Sequence, residues 1–336
     1  MGQRADAKSR KTFGQWLKSR KGQQFIIIFA FSIIPVLLLL VFTYLPFAEM
    51  VNFSFYKMKY VGARTFVGLD NYRAIFKRKD IVQSLVLCLY YMVGALIQIA
   101  LALYLATILT MKVKCSGLFK GFIFFPYLIN GIAIGFIFRF FYTRGFVLDT
   151  VLQWCGMNLE SLPYWLKDQS VNNWSLVASS VWRYCGQQMV LFIGAMMSVD
   201  ESLYEAADLD GANKFQQFRY IILPSIKTIV TLNIILSITG SLSAFEAPYV
   251  ITDGANGTGT FFVVMNTIAH TNQKVGLASA MAVFLLVIIF ICTILQKLFF
   301  KYVFRNMEAD DESRAAKKKH KLEARQRAAA AGKGGH

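Results

Sequence analysis

The sequence is poor in the residues from which most catalytic and metal sites are built. Its 336 residues include 3 histidines and 5 cysteines. The histidines, His270, His320 and His336, form no HExxH motif, and the glycines at 253–259 are not followed by a helix with the lysine of a phosphate loop. The cysteines show no paired spacing, so neither a disulfide framework nor a zinc site is indicated. The sequence therefore gives no indication of an enzyme.

Charged residues are also scarce, and they are unevenly placed. Only 16% of the chain is charged, against 56% hydrophobic, which is far too apolar for a soluble globular domain. The net charge is +17, but 7 basic residues lie in segment 1–24 and 11 in segment 297–336. This placement argues against a nucleic-acid partner and is instead a signal of membrane topology.

Six windows are long enough to cross a hydrocarbon core of about 30 Å, which takes roughly 20 helical residues. The sequence thus predicts an all-α polytopic membrane protein with six transmembrane helices, near 25–47, 82–110, 119–143, 174–198, 225–250 and 277–300. The predicted regions are a basic cytoplasmic tail at 1–24, a first span and outer loop at 25–80, a core of five spans at 81–305 and a basic disordered cytoplasmic tail at 306–336.

Both termini are predicted to lie in the cytoplasm, because the positive-inside rule assigns basic tails to that side. The polar segment 200–224 then also faces the cytoplasm. Segment 47–80 disagrees, since it is assigned to the outside and carries 7 basic residues. The prediction is retained because the reverse orientation would move both tails and segment 200–224 to the outside.

Segment 200–224, DESLYEAADLDGANKFQQFRYIILP, is the longest polar interruption in the second half of the chain. Its pattern predicts a short helix around Glu205, a break at Gly211 and a second helix, since glycine tolerates a positive φ. Pro224 stands where a new helix would start. An ordinary loop carrying an amphipathic helix is the alternative. The motif comprises Glu205, Ala206, Ala207, Asp210, Gly211, Ala212, Leu223 and Pro224, with Phe218 and Ile221 between.

This motif resembles the EAA loop of ABC importer permeases, in the maltose-type carbohydrate branch. The resemblance covers roughly residues 25–305 and implies a six-helix, MetI-like permease fold in which the loop is a cytoplasmic coupling helix. The implied function is translocation of a sugar or oligosaccharide across the bacterial inner membrane. The implied partners are a second sugar permease, two ABC ATPase subunits, an extracytoplasmic solute-binding protein and membrane lipid. ATP and Mg²⁺ would belong to the ATPases, so this chain is expected to bind no cofactor and no metal.

Polar residues on two predicted spans share helix faces. In the fourth span Ser180, Arg183, Tyr184 and Gln187 follow the i, i+3, i+4, i+7 spacing of one face. Polar side chains are expensive inside a bilayer and usually face the bundle interior, so they indicate a solute pathway. The corresponding residues of the fifth span are Asn233, Ser237, Ser241, Ala244 and Glu246.

Measured from Glu205, these positions resemble those that line the sugar site of maltose-type permeases, although Ser241 and Ala244 stand where amides are found in that family. Hydroxyls and amides suit a neutral, hydroxyl-rich solute, whereas Arg183 would suit a carboxylate or phosphate. A sugar phosphate or an acidic sugar is therefore an alternative cargo. Helix packing through serines, or neutralisation of Arg183 by Glu246, would give these residues a structural role instead.

An ion-coupled secondary transporter is a less favoured alternative, since it predicts inverted repeats and buried acids, and the spans offer only Glu246. Two outer segments are also open to two interpretations. Segment 66–76 resembles an outer loop of sugar-importer permeases, or it is an interfacial amphipathic segment. Segment 145–173 is rich in aromatic residues, which is typical of an interfacial belt or of a surface for an external partner.

Overall fold

The computed structural model describes residues 20–110 and 113–331, and these are mostly helical. Residues 1–19 of the predicted basic tail lie outside the described residues, as do residues 332–336. Up to residue 110 the elements are α1 (Arg20–Leu39), a π-helical turn (Leu40–Tyr44), α2 (Leu45–Phe53), strands β1 (Tyr56–Lys57) and β2 (Thr65–Phe66), α3 (Asp70–Lys77) and α4 (Lys79–Thr110).

From residue 113 onwards, the described chain contains ten further α-helical segments before a long last helix. The middle part comprises α5 (Ser116–Leu128), α6 (Gly131–Tyr142), α7 (Val147–Trp154), a 3-10 turn (Leu159–Ser161), α8 (Asn172–Met196), α9 (Glu201–Leu209), α10 (Lys214–Gln217) and a π-helical turn (Phe218–Ile222). The last part comprises α11 (Leu223–Ser225), α12 (Lys227–Leu242), α13 (Glu246–Thr252), α14 (Phe261–Asn266), a π-helical turn (Thr267–Thr271) and α15 (Val275–Ala331).

Four described helical stretches are long and apolar enough to cross a membrane, and a bent pair makes a possible fifth. The bent pair is α5 with α6. Helix α8 coincides with the remaining predicted window, 174–198, but it is more polar. The four stretches are Ile27–Phe53, Lys79–Thr110, Lys227–Thr252 and Val275–Val303.

The span predicted near 119–143 is a bent pair of helices, because α5 and α6 meet at an angle of 98°. Asn130 produces the break. Its side-chain oxygen accepts a hydrogen bond from the Ile132 backbone N–H at 2.9 Å and so caps the start of α6. An asparagine in this role offers the backbone an alternative to continuing the helix.

The disordered tail predicted from residue 306 is also corrected, because α15 continues without interruption to Ala331. Segment 304–331 contains no glycine or proline and is rich in alanine, glutamate, lysine and arginine. These residues have the highest helix propensities. The high charge of this segment indicated disorder. Its residues are nevertheless good helix formers, and they extend a helix that is already nucleated in α15.

Helix α4 is central to the bundle, because it packs along both α8 and α12. Ala102 and Ala106 are fully buried on α4, and such small residues let helices approach closely. Ala102 and Ala106 belong to a larger group of buried residues, the loop-side cluster. It consists of Ile99, Ala102, Ala106, Leu109, Cys185, Met189, Phe192, Ile193, Met196, Ile222 and Ile226.

Segment 66–76 is folded against the body of the protein. The Asn71 amide donates hydrogen bonds to the Ser54 and Tyr56 carbonyls, at 2.8 and 3.0 Å, and Ile75 is 1% exposed. Phe76 is largely exposed. The segment is thus anchored by contacts within the protein, while Phe66 and Leu69 are exposed together with Phe76 and remain available to a lipid interface.

The basic outer segment 47–80 carries ion pairs of its own. Arg73 lies 3.0 Å from Asp70 and Arg78 lies 2.5 Å from Asp80. These pairs offset two of the seven positive charges that conflict with the predicted orientation.

Segment 145–173 is a folded unit organised around a buried carboxylate. Asp149 is fully buried, and it accepts hydrogen bonds from the Trp165 indole N–H and the Gly145 backbone N–H, both at 2.7 Å. Trp154, in contrast, is 83% exposed. The interpretation as an aromatic belt therefore does not apply to Trp165, whose polar atom is satisfied inside the protein.

Two glycines of α8 provide a matched test of the bundle packing. A side chain at Gly186 would collide with the backbone of Ile123 and Phe124 in α5, whereas a side chain at Gly194 would meet open space. We expect Gly186→Ala to destabilise the protein by about 1–3 kcal/mol through overpacking. Gly194→Ala should change stability by at most about 1 kcal/mol, in the stabilising direction, because alanine favours helix.

Thermal unfolding of the two purified variants in the same detergent measures this difference. Equal midpoints for Gly186→Ala and the unmutated protein would contradict the close approach of α5 to α8.

Candidate functional site

The predicted coupling segment is a compact helical hairpin. Helix α9 begins after Asp200, whose side chain accepts a hydrogen bond from the Ser202 backbone N–H at 3.0 Å. It ends at Leu209, and the chain turns at Gly211, which has a φ of +74°, a conformation that glycine adopts without strain. Asn213 and Gln216 then form a reciprocal capping box that starts α10. The predicted helix, break and second helix are all present.

Side chains that the sequence did not single out hold the two arms of the hairpin together. Asp208 accepts hydrogen bonds from the Gln217 amide at 2.5 Å and from the Lys214 ammonium at 3.3 Å. Gln217 is 4% exposed and also donates to the Ala212 carbonyl at 3.3 Å. The hydrogen bond from Gln217, followed by that from Lys214, holds the pKa of Asp208 below its ordinary value. The segment therefore has a fixed shape.

One side of the hairpin packs on the bundle and the other is open. Ala207 is buried, and Ile222 and Ile226 belong to the loop-side cluster together with Met189 and Phe192 of α8. The open side exposes apolar groups as well as charge, which is unusual for a surface without a partner. It presents Glu205, Ala206, Leu209, Asp210, Gly211, Phe215, Tyr220 and Pro224, while Ala212 and Leu223 are half-buried.

A cavity of about 510 Å³ lies between α4, α6, α8, α12 and α13. All nine residues predicted for the solute pathway line it, although they come from two separate stretches of sequence. Helix α8 contributes Ser180, Arg183, Tyr184 and Gln187, and the other stretch contributes Asn233, Ser237, Ser241, Ala244 and Glu246.

The cavity wall contains one ion pair. The Arg183 guanidinium contacts the Glu246 carboxylate, and the Tyr184 hydroxyl donates to the same carboxylate oxygen at 3.2 Å. Arg183 also lies over the Tyr184 ring, 4.9 Å from its centroid. A side chain at Gly131, the first residue of α6, would collide with both members of the pair. The pair thus joins α8 to α13 beside the break between α5 and α6.

Several lining residues were missed by the sequence reasoning. Gln98 of α4 and Gln188 of α8 are amides within apolar helices, and Tyr91 of α4 is a buried phenol. The Gln188 amide donates to the Ser237 hydroxyl at 2.7 Å. The two glutamines carried a usable signal, since an amide inside a span is costly without a partner. Tyr91 carried none, because a tyrosine in an apolar run also fits a helix interface.

Three buried polar atoms of the cavity wall have no hydrogen-bond partner within the protein. They are the Tyr91 hydroxyl, the Gln188 carbonyl oxygen and Nε of Arg183. A buried polar atom left unpaired costs about 1–3 kcal/mol. The cavity wall therefore contains buried polar groups that the protein itself leaves unsatisfied. Among the described residues, no group of three or more His, Cys, Asp or Glu is placed to hold a metal ion.

Comparison with known proteins assigns the family. Residues 98–305 match the model of the binding-protein-dependent transport system inner membrane component, and the chain therefore belongs to this family. The probable ABC transporter permease protein YurN of Bacillus subtilis (strain 168) is 33% identical over 80% of this chain and 94% of the relative. The probable starch degradation products transport system permease protein AmyD of Thermoanaerobacterium thermosulfurigenes is 28% identical over 79% of this chain and 90% of the relative.

Solved structures share the fold. A bacterial ABC transporter involved in the import of the acidic polysaccharide alginate matches with a TM-score of 0.74 at 16% identity, over 82% of this chain and 96% of that chain. The alginate transporter in complex with an alginate pentasaccharide-bound periplasmic protein matches with a TM-score of 0.73 at 17% identity, over 82% of this chain and 93% of that chain. The chain thus has the fold of these transporters, and its family membership confirms the resemblance drawn from segment 200–224.

The ion pair allows a double-mutant test. Arg183→Gln or Glu246→Gln alone should destabilise the protein by about 1–3 kcal/mol, because each leaves one charge of the cavity wall unpaired. The double variant should recover most of the loss, since no unpaired charge remains. The measurement is the amount of folded chain in the membrane and its thermal midpoint after purification. Additive losses in the double variant would show that the two side chains do not stabilise each other.

Proposed function

We propose that this chain is the permease subunit of an ATP-driven importer that translocates a sugar or oligosaccharide delivered by an extracytoplasmic solute-binding protein. The observation that carries the proposal is the cavity, whose wall contains hydroxyls, amides and unpaired polar atoms. The coupling hairpin is attached to helices of the same wall. Relatives named as permeases for starch degradation products and arabinooligosaccharides support a carbohydrate as the cargo.

The proposed architecture has six membrane crossings with both termini in the cytoplasm. Helix α8 and the α5–α6 pair complete the crossings beside the four apolar stretches. The described apolar side chains of Ile27–Phe53 are mostly exposed within this chain, which suits lipid and a second permease subunit. The proposed location is the bacterial inner membrane.

The proposed cycle depends on the attachment of the hairpin. Two ATPase subunits would bind its exposed side and carry the ATP and Mg²⁺, while this chain supplies no nucleotide site. Since the hairpin shares the loop-side cluster with α4, α8 and the start of α12, a displacement of the hairpin would move these helices together. Alternating access would then follow from rigid-body motion of packed helices.

Glu205 provides a test of coupling. It is exposed on α9 and can pair with a basic residue of an ATPase. Glu205→Lys should leave the chain inserted but abolish uptake and solute-stimulated ATP hydrolysis. Glu160→Lys is the control, because it makes the same charge change at an exposed position of segment 145–173 and should retain both activities. Normal stimulation with Glu205→Lys would show that this acid does not couple the subunits.

Two native cysteines test the proposed orientation. Cys155 is exposed in segment 145–173 and Cys115 is exposed just before α5. In variants that retain only one cysteine, a membrane-impermeant maleimide added to spheroplasts should label Cys155 and not Cys115. Both should react once the membrane is permeabilised. Labelling of Cys115 alone before permeabilisation would reverse the topology.

A further inference from the structure

We infer that the Arg183–Glu246 pair makes this permease select uncharged sugars and exclude acidic ones. The inference rests on the proposed function, because it concerns the solute that passes through the cavity. Arg183 and Glu246 are the charged members of the described cavity lining. Their arrangement therefore sets the charge that a solute meets.

The carboxylate is the accessible member of the pair. The Glu246 side chain is 50% exposed, whereas the Arg183 side chain is 13% exposed. Arg183 is covered by the contact with Glu246, by the Tyr184 ring and by the backbone at Gly131. A solute in the cavity thus faces a negative group with the positive group behind it.

The guanidinium is not free to bind an anion. Recognition of a carboxylate or phosphate by arginine normally uses two parallel N–H donors, and one edge of Arg183 is already occupied by Glu246. Nε, which would complete a second two-donor edge, is buried in the cavity wall and is not exposed to a solute. A uronate or a sugar phosphate would have to displace Glu246 and leave that carboxylate without its partner.

Glu246 is also a repulsive element against acidic solutes. Charges in a partly enclosed cavity are screened less than charges in water, so a second anion beside Glu246 is disfavoured. Sugar hydroxyls, in contrast, can donate to its carboxylate and exchange hydrogen bonds with the half-buried amide of Gln187. Specificity built on repulsion of the wrong partner is common in selective sites.

The fold of this chain does not fix the charge of its cargo. The alginate transporter imports an acidic polysaccharide, yet the likeness to it at 16% identity concerns the fold alone. The charge of the cavity is a property of individual side chains in this chain. It favours the neutral member of the two cargo classes left open by the sequence.

The test compares binding of neutral and uronate trisaccharides to the purified permease–ATPase assembly. Omitting the solute-binding protein removes any discrimination made by that subunit. A panel of radiolabelled neutral trisaccharides and of galacturonate and glucuronate trisaccharides is titrated at pH 7. The unmutated assembly should bind at least one neutral trisaccharide more tightly than every uronate by at least about tenfold.

Two variants locate the discrimination. In Arg183→Gln/Glu246→Gln the cavity is uncharged and no charge is left unpaired, so the ratio of neutral to uronate affinity should fall by at least about tenfold. Glu246→Asp keeps the carboxylate and should keep the preference for neutral sugars. A purely structural pair would change both affinities equally and leave their ratio unaltered.

Equal binding of both classes by the unmutated assembly, or an unchanged ratio in the double variant, would overturn the inference while the proposed sugar import stands. Failure of every trisaccharide to bind, with no uptake by the transporter complete with its binding protein, would reject the proposed function itself and this inference with it.

Discussion

A guanidinium placed inside an apolar helical bundle is the constraint on which the centre of this molecule depends. Arg183 requires a counter-ion and close packing, and the first residues of two helices supply both. Glu246 is the first residue of α13, and Gly131 is the first residue of α6. The breaks that precede these two helices therefore have a common physical reason. One places the Glu246 carboxylate beside Arg183, and the other places the backbone of Gly131, which has no side chain, beside the same arginine.

Two helices connect the cavity wall with the coupling hairpin. Helix α8 carries Gln188 in the cavity wall, and the next residue, Met189, lies in the loop-side cluster. Helix α12 likewise carries Asn233 in the wall and is preceded by Ile226 in the cluster. The two functional regions thus share continuous, closely packed helices. Packed helices shift as units rather than deform gradually, which gives the hairpin a mechanical route to the cavity.

Family membership depends on the overall fold, whereas the choice of cargo depends on individual side chains. The fold is shared with transporters of low sequence identity, so it supplies the path and the coupling geometry without specifying the solute. We propose that the solute is selected by individual side chains of the cavity wall, in which the Glu246 carboxylate is accessible and Tyr91 is buried. Among permeases of one fold, cavity charge is thus a feature that can vary independently of coupling.

The sequence by itself determined the membrane class, most helix positions, the hairpin break at Gly211 and all nine predicted lining residues. Hydrophobic periodicity and the energetic cost of polar groups in lipid are local properties, and they are readable along the chain. Tertiary structure alone decided the 98° bend before Gly131, the linking of the two hairpin arms through Gln217 and the pairing of Arg183 with Glu246. These depend on contacts between distant residues, and spacing along one helix does not encode which side chain across the bundle will neutralise a charge.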